Sequence, residues 1–209
     1  LVILSMVENF GIKVDTDYLK VLDDTLITEL EDLKAKIQEL SPVGEVNPNS
    51  IPEMGSLLFT SDGFDLTPSM FSEKISDEHL SEVLAATTNK KAKEFIQTLL
   101  KYKYRTKQHR TYVKGVEKAI EYNEDGRIYS QYNFATVVTG RLSCSTYNVS
   151  GKKKGVSFHT LPRDVEGDAV NIRKLMVADP GKAFLAADFS QAELRVLAQC
   201  CGDKALIQA

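Results

Sequence analysis

Cysteine is scarce in this sequence, whose 209 residues include only Cys144, Cys200 and Cys201. None of the three belongs to a C-x-x-C pair, and no Cys/His cluster with the spacing of a metal site occurs. This scarcity excludes a disulfide framework and argues against a structural zinc site. A reducing compartment is therefore expected.

Long apolar runs are also absent. The apolar stretch Leu1–Leu4 has no basic flank and is too short for the core of a signal peptide or for a membrane span. We therefore expect no membrane partner and a cytoplasmic location. The chain begins without methionine and reaches Ala209 without a Gly or Pro signal that would end its last helix, which suggests an internal segment of a longer protein.

Charge is present but unevenly distributed. The formal net charge is only −3, yet residues 1–89 carry 5 Lys/Arg and 17 Asp/Glu, whereas residues 90–118 carry 10 Lys/Arg and 2 Asp/Glu. A concentrated basic segment suits a phosphate backbone, because each cation that neutralises a phosphate releases a counterion. A solvated helix face is the alternative. With 43% hydrophobic residues, the chain can bury the core of one or two globular units.

Two stretches have the periodicity of long helices. Between Thr16 and Leu40, leucine and isoleucine recur at steps of three and four, and Ser41–Pro42 ends the pattern. Asn89–Gly115 has a second apolar stripe with basic residues on its other faces. We expect an antiparallel pair, because the first stripe is too short and irregular for a free coiled coil. The intervening Pro42–Thr88, punctuated by Pro and Gly, predicts short helices and loops.

The pattern changes after the second helix. Asn123–Gly126 is a hairpin turn signal, and Ile128–Val138 alternates aromatic with polar residues, as a half-buried strand does. Further on, the apolar run Ala183–Asp188 predicts a buried strand that ends in a carboxylate. Ser190 and Glu193 then have the S-x-x-E spacing of a capping box, which predicts a helix directly after this acidic turn.

Three blocks of the sequence resemble the family A DNA polymerases, the relatives of bacterial DNA polymerase I. Asp188–Gln199, DFSQAELRVLAQ, resembles the first palm motif D-Y-S-Q-I-E-L-R. Thr139–Ser145, TGRLSCS, resembles T-G-R-L-S-S-S and lies about forty residues upstream, as in the family. Met6–Asp15 resembles the stretch at which these enzymes pass from the exonuclease-like domain into the polymerase domain.

The resemblance implies an α+β fold. A helical thumb, made of the long antiparallel helix pair, would be followed by the first part of an antiparallel palm sheet. Residues 1–15 would be the end of an upstream domain or a connector, residues 16–118 the thumb, and residues 119–209 the N-terminal part of the palm with the first catalytic motif. The fingers and the second catalytic motif have no counterpart in the sequence.

The activity that the resemblance implies is template-directed DNA synthesis by two-metal nucleotidyl transfer. It makes Asp188 the catalytic carboxylate and a Mg²⁺ ligand, with the main-chain carbonyl of Phe189 as an accessory ligand. Two Mg²⁺ ions are implied, and the second carboxylate would lie outside this chain. Mg²⁺ takes hard oxygen ligands and keeps several waters, so the two ions can share one carboxylate. Without the resemblance, Asp188 would be interpreted as an acid that interacts with a helix dipole.

The same resemblance implies primer–template DNA and a dNTP as partners. Ser190, Gln191 and Glu193 would line the nucleotide pocket, and Glu193 would fill the space that a ribose 2′ hydroxyl needs. Arg141 would test pairing geometry in the minor groove, where every correct base pair presents an acceptor. The other candidates for contacts with DNA are Lys107, Arg110, Thr111, Asn148 and His159.

One stretch departs from the family pattern. After Ser145 the family usually has P-N-L-Q-N-I-P-x-R, whereas this chain has about nine additional residues, including Lys152–Lys154, before Phe158–Arg163. The lysine triplet is either an added phosphate contact or a solvated loop, and we interpret it as a loop.

The primary hypothesis is therefore a DNA-directed DNA polymerase. This chain alone is expected to be inactive, because one carboxylate does not make a two-metal site. The alternatives are a non-catalytic module that binds duplex DNA with a relic palm, and a helical interaction protein that uses the helix pair as a partner surface. Bacterial, phage and organellar relatives share these motifs, so the host and a role in replication or in repair are left open.

Overall fold

The computed structural model of the protein describes residues 2–66, 75–123, 125–149 and 152–208. The chain divides into two compact units, Leu1–Val177 and Ala178–Ala209. Mostly helical, with small antiparallel sheets, the described chain has the composition of an α+β fold. The assignments to thumb and palm, and their boundaries, stay predictions.

The first unit contains most of the secondary structure. Its helices α1 to α6 are Val2–Phe10, Thr16–Leu40, Ile51–Phe59, Asp77–Ala86, Lys90–Lys107 and Lys114–Asn123. The backbone between α5 and α6 is π-helical over Gln108–Val113. The strands β1 to β7 are Ile12–Val14, Arg127–Ile128, Gln131–Asn133, Ser143–Ser145, Tyr147–Val149, Lys152–Lys154 and Met176–Val177, and two 3₁₀ turns cover Phe158–Thr160 and Ile172–Leu175. The second unit contains α7, Ala192–Cys201, and α8, Lys204–Gln208.

Helix α2 has the bounds that the sequence predicts. Asp15 caps its first turn, where the carboxylate accepts hydrogen bonds from the backbone N–H groups of Asp17 and Tyr18 at 3.1 and 2.9 Å. Such a cap satisfies donors that have no partner inside a helix. The helix ends at Leu40, before Ser41. The predicted apolar stripe faces inward, with these residues buried: Leu19, Leu22, Leu26, Leu33 and Ile37.

The predicted antiparallel pairing of the two long helices is confirmed. Lys36 pairs with Glu94 at 2.7 Å, near the end of α2 and the start of α5. At the opposite end, Asp23 of α2 contacts His109 at 2.8 Å and Lys114 at 2.9 Å. The last part of α2 thus contacts the first part of α5, and the first part of α2 contacts residues that follow α5. The two helices therefore run in opposite directions.

Two hydrophobic cores lie along this helix pair. The helical core combines the second half of α2 with α3, α4 and α5, and its fully buried members include Ile37, Leu58, Leu80, Phe95, Ile96 and Leu99. The sheet-side core combines the first half of α2 with the π-helical segment, α6 and the strands, and includes Leu22, Leu26, Val113, Val116, Ile128, Ile172 and Leu175. Helix α2 therefore belongs to both cores.

The three-stranded sheet of the first unit is small and antiparallel. Strand β1 is central, with β2 on one side and β7 on the other, in the registers Ile12↔Ile128 and Val14↔Met176. Gly11 allows the chain to turn into β1. Its φ is +61°, and an added Cβ would lie 2.5 Å from the ring of Tyr129, so a side chain would be both strained and obstructed.

An ion network joins the helix pair to the chain that leads back to the sheet. The guanidinium of Arg105 donates to both carboxylate oxygens of Asp168 at 2.7 and 2.9 Å and to Gln108 Oε1 at 2.7 Å. Its Nε lies 2.8 Å from Glu29 Oε2. The Arg105 side chain is only 7% exposed. Buried charges of this kind remain tolerable only while they are paired.

Hydrogen bonding from Arg105 holds the pKa of Asp168 below its ordinary value of 3.8, against the opposing effect of burial. At Asp23, burial tends to raise the pKa, but hydrogen bonds from Lys114 and His109 outweigh it and leave the pKa lowered. The helix pair therefore holds both acids in their charged form.

The end of the second long helix differs from the sequence prediction. Helix does not stop at Gly115 but continues through α6 to Asn123, because Val113, Val116 and Ala119 bury themselves in the sheet-side core. That packing outweighs the cost of about 1 kcal/mol for a glycine inside a helix. Consequently Asn123–Gly126 joins a helix to β2, and the predicted β-hairpin turn is wrong.

The strand predicted over Ile128–Val138 is broken. Only Arg127–Ile128 and Gln131–Asn133 are paired, and turns follow from Phe134. The lysine triplet is also not a loop, since Lys152–Lys154 forms β6 and pairs with β5. Pro42–Thr88 contains short helices and loops as predicted, and its residues 67–74 lie outside the described ranges.

The predicted buried strand Ala183–Asp188 is wrong as well. The structure has no strand between residues 178 and 191, and Phe184 and Leu185 are 62% and 93% exposed. A strand needs a neighbouring backbone to accept and donate its hydrogen bonds, and an apolar run cannot supply one. Among the described helices, none combines the length with the apolar character needed to cross a membrane.

The ion network predicts a large loss of stability on Arg105→Met. Removing the guanidinium leaves the Asp168 carboxylate, which is only 14% exposed, without its ion-pair partner and leaves Glu29 with Lys101 alone. The free energy of unfolding is therefore expected to fall by about 3 kcal/mol. Lys101→Met is the matched control, because Lys101 pairs with the same Glu29 at 2.7 Å but is half exposed. That change should cost less than about 1 kcal/mol. Urea unfolding measures both, and equal losses would contradict this account of the network.

The lowered pKa of Asp168 predicts a pH dependence of stability. A carboxylate whose pKa is depressed by folding adds stability above its unfolded pKa, and the contribution is lost as the pH falls through the folded value. The difference in unfolding free energy between wild type and Asp168→Asn should therefore be constant above pH 3.8 and shrink below it. Urea titrations between neutral pH and strong acid measure this difference. A change centred near neutral pH would refute it.

Candidate functional site

A groove of about 480 Å³ lies beside α5 in the first unit. One wall comes from the start of α3 and the loop before it, and the other comes from the end of α5 and the π-helical segment. The groove has an apolar floor and a polar rim, formed by Pro48, Asn49, Ile51, Met54, Ile75, Leu99, Lys103, Thr106, Lys107, Arg110 and Thr111.

Three of the predicted contact residues meet in this groove, namely Lys107, Arg110 and Thr111. All three are exposed. Lys107 and Arg110 have no ion-pair partner among the residues that the structure describes. Two cations beside a hydroxyl on one helical wall can hold an anionic chain, and their positions are set by the packing of Tyr112 and Val113 in the sheet-side core.

Three of the other six cations of α5, Lys101, Lys103 and Arg105, are neutralised by ion pairs within the fold. Lys101 pairs with Glu29, while Lys103 pairs with Asp77 at 2.6 Å and donates to the carbonyl of Ile75 at 3.2 Å. Acidic residues of the N-terminal part therefore neutralise four of the ten cations of residues 90–118.

The sequence did not indicate the α3 wall of the groove. The start of this helix does have a recognisable signal, since Ser50 and Glu53 have the S-x-x-E spacing and Pro52 stands in the first turn. Ser50 Oγ accepts from the N–H of Glu53, and the Glu53 carboxylate accepts from the N–H of Asn47 at 2.8 Å. This cap determines where Asn49 and Ile51 stand.

Arg141 lies at the turn between β3 and β4. The two strands pair in the register Gln131↔Ser145, Tyr132↔Cys144 and Asn133↔Ser143, which holds both ends of the turn. Gly140, with φ of +75°, supplies the left-handed backbone that the turn requires. Arg141 itself is exposed.

His159 belongs to the same region. Its ring meets that of Tyr132 edge to face at 6.2 Å between centroids, and β4 lies against its 3₁₀ turn, since Phe158 N–H donates to Cys144 Sγ at 3.3 Å. Burial, then the neighbouring Cys144 and Glu8, raise the pKa of Tyr132.

The backbone of Asn148 is in β5, opposite Lys153, but its side chain lies outside what the structure describes.

The second unit carries the other predicted residues on a single turn. Asp188, Phe189 and Ser190 are exposed and precede α7 directly, and Glu193 lies in the first turn of that helix. The predicted capping box is wrong, because the cap residue is Gln191 and not Ser190. Gln191 has a left-handed backbone, with φ of +49°, and makes no capping hydrogen bond through its side chain. The chain therefore bends sharply between the acid and the helix.

The donor chemistry at this turn suits a hard cation in part. An exposed carboxylate and a main-chain carbonyl are oxygen ligands of the kind that Mg²⁺ binds while it keeps its waters. Within the described ranges, no three His, Cys, Asp or Glu residues stand together as a metal site. The turn thus offers one carboxylate ligand and not a complete metal-binding site.

Comparisons with known proteins agree with the sequence motifs. A family model described as DNA polymerase family A matches residues 16–209. DNA polymerase I of Chloroflexus aurantiacus is 32% identical over 209 residues, and DNA polymerase I of Bacillus subtilis is 31% identical over 209 residues. Both alignments cover 99% of this chain but 21% and 22% of the relatives, so the chain spans about a fifth of their length.

A solved structure has the same fold. The POL domain of Pol1 from M. smegmatis, in complex with DNA primer-template and dNTP, matches with a TM-score of 0.74 and 22% identity. The match covers 99% of this chain and 34% of that one.

Proposed function

Because this chain belongs to DNA polymerase family A, we propose that the full-length protein is a DNA-directed DNA polymerase that adds deoxynucleotides to a primer 3′ end. The family match over residues 16–209 is the observation that carries the proposal. The motif DFSQAELRVLAQ, at Asp188–Gln199, supports it from the sequence.

Asp188 is proposed as the catalytic carboxylate. Nucleotidyl transfer requires positioning and charge stabilisation more than covalent help from the protein. Two Mg²⁺ ions would activate the 3′ hydroxyl and clamp the triphosphate. Asp188 and the Phe189 carbonyl would hold these ions from the turn before α7, and a second carboxylate would come from outside this chain. Residues 1–209 alone are therefore proposed to lack activity.

The same turn is proposed to receive the incoming nucleotide. Ser190, Gln191 and Glu193 follow Asp188 within five residues, so a nucleotide bound at Asp188 lies within their reach. Glu193 would exclude a ribose, because its side chain would occupy the space that a 2′ hydroxyl needs. Gln191, with its left-handed backbone, lies between Asp188 and the helix that carries Glu193.

The first unit is proposed to hold primer–template DNA. Lys107, Arg110 and Thr111 would bind the phosphate backbone in their groove, and such contacts fix position without reading sequence. Arg141 would donate to minor-groove acceptors, which every correct base pair presents. His159 and Asn148 would contact the strands beside it.

Replacement of the catalytic acid tests the proposal. Full-length Asp188→Asn is expected to lose primer extension with dNTPs and Mg²⁺, by about a hundredfold or more, because the amide cannot neutralise the ions. Primer–template affinity, measured by fluorescence anisotropy, should be retained.

Asp203→Asn is the matched control. It removes an acid from the same unit, and asparagine can still cap α8 as Asp203 does now. This variant should extend primers normally. Undiminished extension by Asp188→Asn would remove the catalytic role from this acid, whereas duplex binding without extension by the wild-type protein would favour a module that binds DNA without catalysis.

The groove makes a separate prediction about DNA affinity. Lys107→Gln with Arg110→Gln should reduce the slope of log affinity against log salt by up to about 1.8, since each lost phosphate contact accounts for about 0.9. Lys36→Gln with Lys101→Gln changes the charge equally, but both lysines are already paired with acids. That control should keep the wild-type slope. Equal slopes in all three proteins would remove the groove from the DNA interface.

A further inference from the structure

The hairpin of β5 and β6 is the part of the first unit that departs from the family pattern. The strands pair in the register Tyr147↔Lys154, Asn148↔Lys153 and Val149↔Lys152. Three consecutive lysines therefore occupy one strand of a hairpin, where backbone positions are spaced by about 3.3 Å. A paired strand holds these positions more firmly than a loop does, which lowers the entropic cost of binding through them.

The charge of this hairpin is not balanced within its own segment. Residues 126–163 contain six Lys/Arg and no Asp/Glu. Helix α5 is different, because acids of the preceding segments pair with its cations. Two acids outside this segment hydrogen-bond to its backbone: Asp125 accepts from the N–H of Arg127 at 2.9 Å, and Glu8 accepts from the N–H of Tyr132 at 2.6 Å.

Both ends of the hairpin are attached to the sheet that carries Arg141. Strand β5 follows β4 after the single residue Thr146. Beyond β6, the N–H of Val156 donates to the carbonyl of Tyr129 at 3.2 Å, and Ser157 Oγ donates to the carbonyl of Cys144 at 2.9 Å. Val156 is buried in the sheet-side core. The lysine strand therefore stands at a limited distance from Arg141.

That distance can be bounded from the chain itself. Tyr147 lies six residues after Arg141 in the chain, so the two are at most about 20 Å apart. With about 3.4 Å for each nucleotide along a strand of duplex DNA, this corresponds to about six base-pair steps. A duplex that contacts Arg141 through its minor groove thus presents several phosphates within reach of the hairpin.

We propose that the β5–β6 hairpin is an auxiliary phosphate-binding element, in which up to two of the three residues Lys152, Lys153 and Lys154 contact the DNA backbone, because successive side chains of a strand lie on opposite faces. The inference rests on the proposed DNA-binding function and extends it to a site outside the motifs shared with the family. These contacts tighten binding to any duplex sequence, because phosphates carry no sequence information.

Salt-dependent binding by the full-length protein tests this role. Affinity for a fluorescent primer–template duplex is measured between about 50 and 200 mM KCl for wild type and for Lys152→Gln/Lys153→Gln/Lys154→Gln. The triple variant should lose up to about 1.8 from the slope of log affinity against log salt, at about 0.9 for each of two phosphates.

Two further variants separate phosphate binding from other effects. Replacement of the same three lysines by arginine keeps the charge and should keep the wild-type slope. Lys13→Gln/Lys20→Gln/Lys34→Gln makes the same change in net charge at exposed lysines of β1 and α2 and should also keep it.

A wild-type slope in the hairpin glutamine variant would overturn the inference. A loss in the arginine variant as large as in the glutamine variant would overturn it too, since charge would then not be the cause. Absence of salt-dependent DNA binding by the wild-type protein would be a different failure, that of the proposed function itself.

Discussion

The buried guanidinium of Arg105 is the interaction on which the arrangement of the first unit depends. It lies on α5 between the helical core and the sheet-side core, and it joins Glu29 of α2 to Asp168 of the returning chain. Neither core extends across this point, so charge and hydrogen bonds replace apolar contact there. An ion pair of this kind need not add net stability compared with an apolar substitute, but it requires a defined partner geometry. The direction in which the long helices leave the sheet is therefore coupled to one side chain.

Ion pairs within the fold decide which cations remain available to bind a ligand. The sequence separates its charges into an acidic and a basic segment, and folding brings α2 and α5 together so that many of these charges neutralise one another. The cations left without an acidic partner in the described chain include Lys107 and Arg110, which line the same groove. Folding thus leaves Lys107 and Arg110 together in one groove, which we propose as a surface for an anionic chain.

The groove residues and the acidic turn at Asp188 differ in how well the local sequence predicted their surroundings. The exposure of Lys107 follows from helix periodicity, because one face of α5 is buried and the other must be exposed. Arg110 and Thr111 lie in the π-helical segment and were indicated by the resemblance to the family. The acidic turn at Asp188 was recognised from its motif, but its surroundings were not foreseen: the preceding apolar run has no strand partner, and the cap falls on Gln191. A motif identifies a contiguous set of residues from their order in the sequence. It cannot show whether a strand forms beside them, because the hydrogen-bond partners of a strand come from elsewhere in the chain.

Sequence alone determined the long helix Thr16–Leu40, its antiparallel partner and the family of the chain. These features depend on contacts between residues three or four apart or on an ordered string of side chains. Tertiary structure decided the extension of helix through Gly115, the pairing of β1 between β2 and β7, the hairpin of the lysine triplet and the burial of Arg105. Each of these depends on partners distant in sequence, and local propensity contributes too little free energy to outweigh the packing and pairing they provide.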